Sequence, residues 1–291
     1  MHASMKCGFR SNRTLCPVVA GFLLVVLTGC FPQQAPERMT KYVRVEDAVK
    51  SGDQAQWVTL YDQGLSEVPA DLIQLKGLVR LGLRKNPLAT IPAWIGDFAS
   101  LEQLDLGQTP LTGLPETLER LAKLRHLWLN DCQFTEVPPA ICRMGSLTYL
   151  NLDRNKIRSV PPTIAGMKSV KWIRLNENQI AQLPIEIGEL VALERLYVAS
   201  NQLTTLPDSI HRLESLTDLL LANNQIRVLP DSVTHLKRLL TLDLSRNPLS
   251  QLPDSMGELK QLRQLSLTGC PLPESEIRRI RSLLPDCYVV F

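Results

Sequence analysis

Proline recurs at Pro69, Pro92, Pro115, Pro138, Pro161, Pro184, Pro207, Pro230 and Pro253, a spacing of 23 residues that never slips. A ring-locked φ and a missing N–H bar each of these positions from a central strand, so the chain must change course nine times at equal intervals. The unit Leu193–Ser215, LERLYVASNQLTTLPDSIHRLES, shows what is repeated. With Leu193 as position 1, apolar residues fall at 1, 4, 6, 11, 14, 18 and 21. Neither a helix nor a strand has that period. Positions 4 and 6 alternate as in a short strand, and Asn201 and Pro207 then interrupt regular structure, so each unit turns back on itself.

Units begin at Ala55, Leu78, Leu101, Leu124, Leu147, Val170, Leu193, Leu216 and Leu239, followed by a longer one from Leu262. Self-similarity at this period with the pattern LxxLxLxxN is how leucine-rich repeats read, and the chain resembles that family over residues 55–291. The resemblance implies an α/β solenoid: a leucine-rich repeat horseshoe with a parallel concave β-sheet, short helical or 3₁₀ convex arms and terminal caps. Nine repeats (55–261) lead into a C-terminal repeat and cap (262–291), where Ile277, Ile280, Leu283 and Leu284 follow helical spacing and Cys287–Phe291 reads as a strand. A short helix within 45–54 covers the first repeat, because an array that grows by stacking leaves its end cores open.

Position 9 holds Asn86, Asn155, Asn178, Asn201, Asn224 and Asn247, whose amides can donate to and accept from neighbouring turns. Cys132 and Cys270 stand at the same position and read as small buried residues. A disulfide between Cys132 and Cys142, or between Cys270 and Cys287, is the other possibility in an exported protein.

The N-terminus has its own logic. Residues 1–29 carry Lys6, Arg10 and Arg13 and no acid, then an apolar run ending Leu27-Thr28-Gly29-Cys30. That is the build of a secretory leader, and its ending resembles a bacterial lipobox, which implies cleavage before Cys30 and lipidation of that residue. A transmembrane anchor is the weaker reading, since a span needs roughly 20 apolar residues and this run contains Pro17 and Gly21. Residues 30–44 then form a tether. The expected address is the bacterial cell envelope, at the outer membrane if the cell has one.

Formal charge is +3 over the 291 residues, and all of that excess lies in the leader. A chain without charge excess lacks the cationic footprint of a nucleic-acid binder. No metal-ligand spacing, GxSxG, HExxH, GxGxxG or Walker pattern occurs, so no catalytic residues, metal or cofactor are expected.

Positions 3, 5 and 7 flank the buried leucines and should point out of the concave face. They hold six of the nine Trp and Tyr residues: Trp57, Tyr61, Trp128, Tyr149, Trp172 and Tyr197. A cluster of His126, Trp128, Tyr149, Asn151, Asp153, Trp172, Arg174, Arg195 and Tyr197 is therefore expected as an exposed ligand-binding patch, rich in the residue types of binding hot spots. Lone acids such as Asp105 and Asp153 are expected to face solvent. The family implies a monomeric protein-binding module. A glycan or cell-wall ligand, stacked on the aromatic rings, is the alternative. The LPxxI arms also resemble Ras-binding scaffolds of the cytosol, an address the leader argues against.

Lipidation at Cys30 makes a direct prediction: the wild-type chain partitions with membranes and carries a lipid mass on Cys30, and Cys30→Ala loses both. Retained partitioning with no lipid on the wild type would refute it.

Overall fold

The computed structural model describes residues 39–291. Cys30, its leader and most of the tether lie outside the described residues. Within them, twelve strands form one parallel sheet in strict chain order. β1 is Lys41–Tyr42, β2 Trp57–Thr59, β3 Arg80–Gly82, β4 Gln103–Asp105, β5 His126–Trp128 and β6 Tyr149–Asn151. β7 is Trp172–Arg174, β8 Arg195–Tyr197, β9 Asp218–Leu220, β10 Thr241–Asp243, β11 Gln264–Ser266 and β12 Tyr288–Val290. The sheet is open, with β1 and β12 at its edges. Register follows the repeat: Leu127 pairs with Leu150 and Leu150 with Ile173, so each position 4 sits beside its copies in the flanking turns.

After each proline the return arm is a single short turn. Eight arms are 3₁₀, such as Asp208–Arg212, and one, α2 (Pro139–Cys142), is α-helical. Too short to be stable alone, they are held because their apolar residues, Ile210 for instance, are fully buried between strand and neighbouring arms. The repeat leucines, from Leu60 to Leu267, form one continuous core.

Backbone polar groups are satisfied between turns. Asn201 Nδ2 donates to the carbonyls of Leu175 (2.9 Å) and Val198 (3.1 Å), one in the preceding turn and one in its own, while its Oδ1 accepts the Ile180 N–H (3.0 Å). Asn86, Asn155, Asn178, Asn224 and Asn247 repeat that pattern. Cys132 and Cys270 replace part of it, each Sγ donating to the position-6 carbonyl of the preceding turn, Leu106 and Leu244. Neither sequence-allowed disulfide forms, because Cys132, Cys142, Cys270 and Cys287 are all free thiols. Burial pushes the Cys287 thiol up to about 11.

One feature of every turn has no sequence signal. Position 8 adopts φ between 54° and 59° in all nine repeats, occupied by Asp62, Lys85, Gln108, Asp131, Arg154, Glu177, Ser200, Asn223 and Arg246. A non-glycine residue there is unfavourable by itself. The conformation is held because each position-8 N–H reaches the position-7 carbonyl of the next turn, as from Ser200 to Ala222 O (2.7 Å).

The caps follow the same principle. α1 (Val45–Ser51) covers the first turn. The tether ends sooner than expected: Lys41 and Tyr42 pair with Trp57 and Val58, since the open edge of β2 otherwise exposes its backbone groups. At the far end α3 (Glu274–Leu283) packs over the last arm. Its Glu276 carboxylate accepts the Leu252 N–H (2.9 Å) and binds Arg279, which also donates to the Leu252 carbonyl and to Asp254. Arg279 is thus a clamp and not the solvated surface charge its neighbours Arg278 and Arg281 suggest.

Asn201→Ala strips three buried backbone groups of their partner, at about 1–3 kcal/mol for each group left unpaired. Chemical denaturation should show it to be as damaging as truncating a core leucine, Leu196→Ala, for which roughly 2–5 kcal/mol is expected. A loss under about 0.5 kcal/mol for Asn201→Ala would remove the asparagine bridges from the account of stability.

Candidate functional site

Residues at positions 3 and 5 project from the outer side of the sheet, and ladder pairing stacks equivalent positions on one another. Because adjacent strands lie about 4.8 Å apart, aromatic rings on consecutive strands meet. Tyr149 and Trp172 have centroids 5.1 Å apart at 80°, and Trp172 and Tyr197 5.4 Å apart at 72°. Trp128 lies 5.5 Å from Tyr149, and His126 5.8 Å from Trp128. The edge-to-face pairs are the geometry that ring quadrupoles favour.

This stacking corrects one expectation. Tyr149 is 5% exposed and Trp172 2% exposed, so neither is an open surface ring. Flanking rings, with Arg195 4.9 Å and Arg174 5.8 Å from the Trp172 centroid, cover them. Asn151 is buried as well, its Oδ1 accepting the Asp153 N–H at 3.0 Å.

Asp153 is the second correction, for it is 1% exposed and not solvent-facing. Its Oδ2 accepts from Arg174 Nε (2.6 Å) and its Oδ1 from the Asn176 N–H (2.8 Å). Burial still holds its carboxyl above the usual range, with the Arg174 charge acting against that shift. Asp105, half-buried, is raised by burial too. Burial lowers the His126 pKa, and the charges of Arg125 and Arg80 lower it further, so the imidazole stays neutral at pH 7.

The nine residues singled out in sequence therefore divide in two. Tyr149, Asn151, Asp153 and Trp172 form a buried polar and aromatic base. His126, Trp128, Arg174, Arg195 and Tyr197 remain partly accessible above it, and Arg195 is within 3.5 Å of Asp218. The strip can recognise a ligand by stacking, cation–π contact and ion pairing. Among the described residues no three His, Cys, Asp or Glu side chains gather to hold a metal ion. Asp105, Gly107 and Asn130, at positions 5, 7 and 7 of their turns, lie next to Trp128 but outside the cluster singled out in sequence.

A leucine-rich repeat family model matches residues 122–180 and 219–272, and a second model of the same repeat matches 192–213. These are leucine-rich repeats. No curated protein matches the chain in sequence. Among solved structures, that of PEPR1–AtPEP1 is 29% identical over 77% of this chain, with a TM-score of 0.66. A TDR receptor is 26% identical over 81%, with a TM-score of 0.68. The ectodomain of the plant membrane receptor kinase GASSHO1/SCHENGEN3 from Arabidopsis thaliana, in complex with Casparian strip integrity factor 2, is 25% identical over 81%, with a TM-score of 0.60. This chain spans 32%, 41% and 35% of those three chains, respectively.

The Asp153–Arg174 pair yields a pH-dependent prediction. Arg174→Ala strands a buried carboxylate, and loss of about 3–5 kcal/mol is expected at neutral pH. Arg174 opposes the burial shift of Asp153, so its removal raises that pKa further, the variant's native state gains more from protonation than the wild type's, and the penalty shrinks as pH falls from about 7 towards 4. Denaturation curves of variant and wild type at both pH values test this, and a penalty independent of pH would be contrary to it.

Proposed function

We propose that the chain is a membrane-anchored, non-catalytic binding module that holds a protein partner on the outer face of its sheet. The observation that carries this reading is the strip His126, Trp128, Arg174, Arg195 and Tyr197, accessible side chains supported from beneath by packed rings and a buried ion pair. Trp, Tyr and Arg dominate binding hot spots, and a rigid base reduces the entropy lost on binding. The similarity to an ectodomain solved with Casparian strip integrity factor 2 supports a ligand on this kind of scaffold.

The glycan alternative depends on flat ring faces open to a sugar. Trp172 offers none, being covered by two guanidinium groups, and Tyr149 is enclosed between Trp128 and Trp172. That favours a protein partner. Anchorage through Cys30 places the module at a bacterial cell envelope, since two or three acyl chains suffice for stable attachment where one does not.

Affinity capture from envelope extracts, with wild type against the Trp128→Ala/Arg195→Ala double variant, tests the reading. Loss of a partner by at least about tenfold is expected. Ile185→Ala, exposed on a return arm, should leave capture unchanged. Recovery of the same partners by wild type and double variant would end the proposal.

A further inference from the structure

Every strand of the parallel sheet begins on the same edge of the array. Positions 22, 23 and 2 line that edge, the last two residues of one unit and the residue before the next strand. Position 2 is tied into a backbone ladder of its own. The Arg125 N–H donates to the Glu102 carbonyl (2.9 Å) and the Thr148 N–H to the Arg125 carbonyl (2.8 Å), a series that runs on to Arg263 and Leu240 O (2.8 Å). Side chains at this edge therefore stand on one rigid, ruled surface.

Charge is divided unequally between the two edges. From Lys76 to Arg263, positions 22, 23 and 2 hold nine Lys and Arg against three Glu and no Asp. Positions 8, 10, 12 and 13, on the opposite edge from Asp62 to Gln251, hold six cations against five acids. Lys168 and Lys171 meet Glu189 and Glu194. Lys123, Arg125, Lys237, Arg238, Lys260 and Arg263 are exposed, and none has an ion-pair partner among the described residues. Leu240, 39% exposed, is two residues from Arg238 and bonded through its backbone to Arg263.

The path of the chain is a second, independent observation. Lys41 pairs with Trp57, position 3 of the first turn, so the exposed Thr40 stands level with position 2. The chain thus joins the sheet on the cationic edge. Ten residues separate Cys30 from Lys41, a reach of at most about 40 Å, whereas twelve strands about 4.8 Å apart extend over roughly 53 Å.

We propose that the edge on which the strands begin is a docking surface for anionic phospholipid headgroups, so that the solenoid lies edge-on to the membrane that holds Cys30. The exposed Lys and Arg meet headgroup phosphates, each strengthening association about fivefold. Leu240 reaches the acyl boundary while the long stems of its cationic neighbours keep their charges among the headgroups. In this pose the outer face of the sheet stands upright from the bilayer, and the strip from His126 to Tyr197 stays open to a partner. Docking of this kind rests on the anchorage proposed through Cys30.

The test uses the lipid-bearing wild-type chain on phosphatidylcholine vesicles with or without phosphatidylglycerol, acetylated by a membrane-impermeant amine reagent and read residue by residue by mass spectrometry. Phosphatidylglycerol should slow acetylation of Lys123, Lys237 and Lys260 by at least about fivefold. Salt at about 1 M, where the screening length falls to about 3 Å, should abolish that protection. Lys156, exposed on the opposite edge, should react at one rate throughout. Protection confined to Lys41 and Lys76 would mean an end-on stance and would overturn the docking surface. So would equal rates on both kinds of vesicle, the same protection from inorganic phosphate on neutral vesicles, or protection that appears only when envelope proteins are added. In each of those cases, retention on neutral vesicles leaves the anchor standing. A chain that neutral vesicles do not retain refutes the anchor, and the docking surface with it.

Discussion

The structure depends on the asparagine that follows six of its strands. Its side chain bonds the carbonyl of its own turn and that of the turn before, and accepts an N–H from the earlier turn. No turn can satisfy these backbone groups alone, and no turn can bury its leucines alone. The 23-residue period is therefore a mutual requirement: a shift of one residue in any unit would misalign its leucines, its asparagine and its position-8 N–H against both neighbours at once. Stability in such an array is a sum of turn and interface contributions, which is why both ends carry dedicated covers, β1 with α1 at one and α3 with β12 at the other.

The same stacking that builds the scaffold organises the candidate site. Parallel pairing in register puts equivalent side chains one strand apart, so a run of aromatics on consecutive turns becomes a packed column. That column converts part of the patch into structure: Trp172 and Tyr149 lose their exposure and hold up their neighbours. The Asp153–Arg174 pair rigidifies the centre, and the buried Asn130 amide donates to Asp131, which Arg154 holds in turn. The accessible surface is consequently smaller than nine residues suggest, and more rigid.

Much of the fold was legible because it rests on residue types recurring at fixed offsets. The leucines, the asparagines and the nine prolines each report a local physical demand, and the strands, the return arms, the helix at Val45–Ser51 and the C-terminal cap follow from them. Cys132 and Cys270 were readable as small buried residues at the asparagine position for the same reason, although Cys270 is only half-buried. The position-8 conformation was not readable. Asp, Lys, Gln, Arg, Glu, Ser and Asn occupy it, and the left-handed backbone is imposed by a hydrogen bond to the next turn.

Sequence alone determined that the chain coils, where each turn reverses, and which positions face outward, because these follow from side-chain alternation and from what proline cannot do. It also marked the nine residues of the patch. Which of them remain open was decided only by tertiary structure. Position 3 of turn five and position 5 of turn four look alike in sequence, yet Tyr149 is enclosed and Trp128 is partly free, since exposure here depends on side chains one strand away in space and 23 residues away in the chain. The pairing of Asp153 with Arg174 has the same origin: it is a property of neighbouring turns and of no single one.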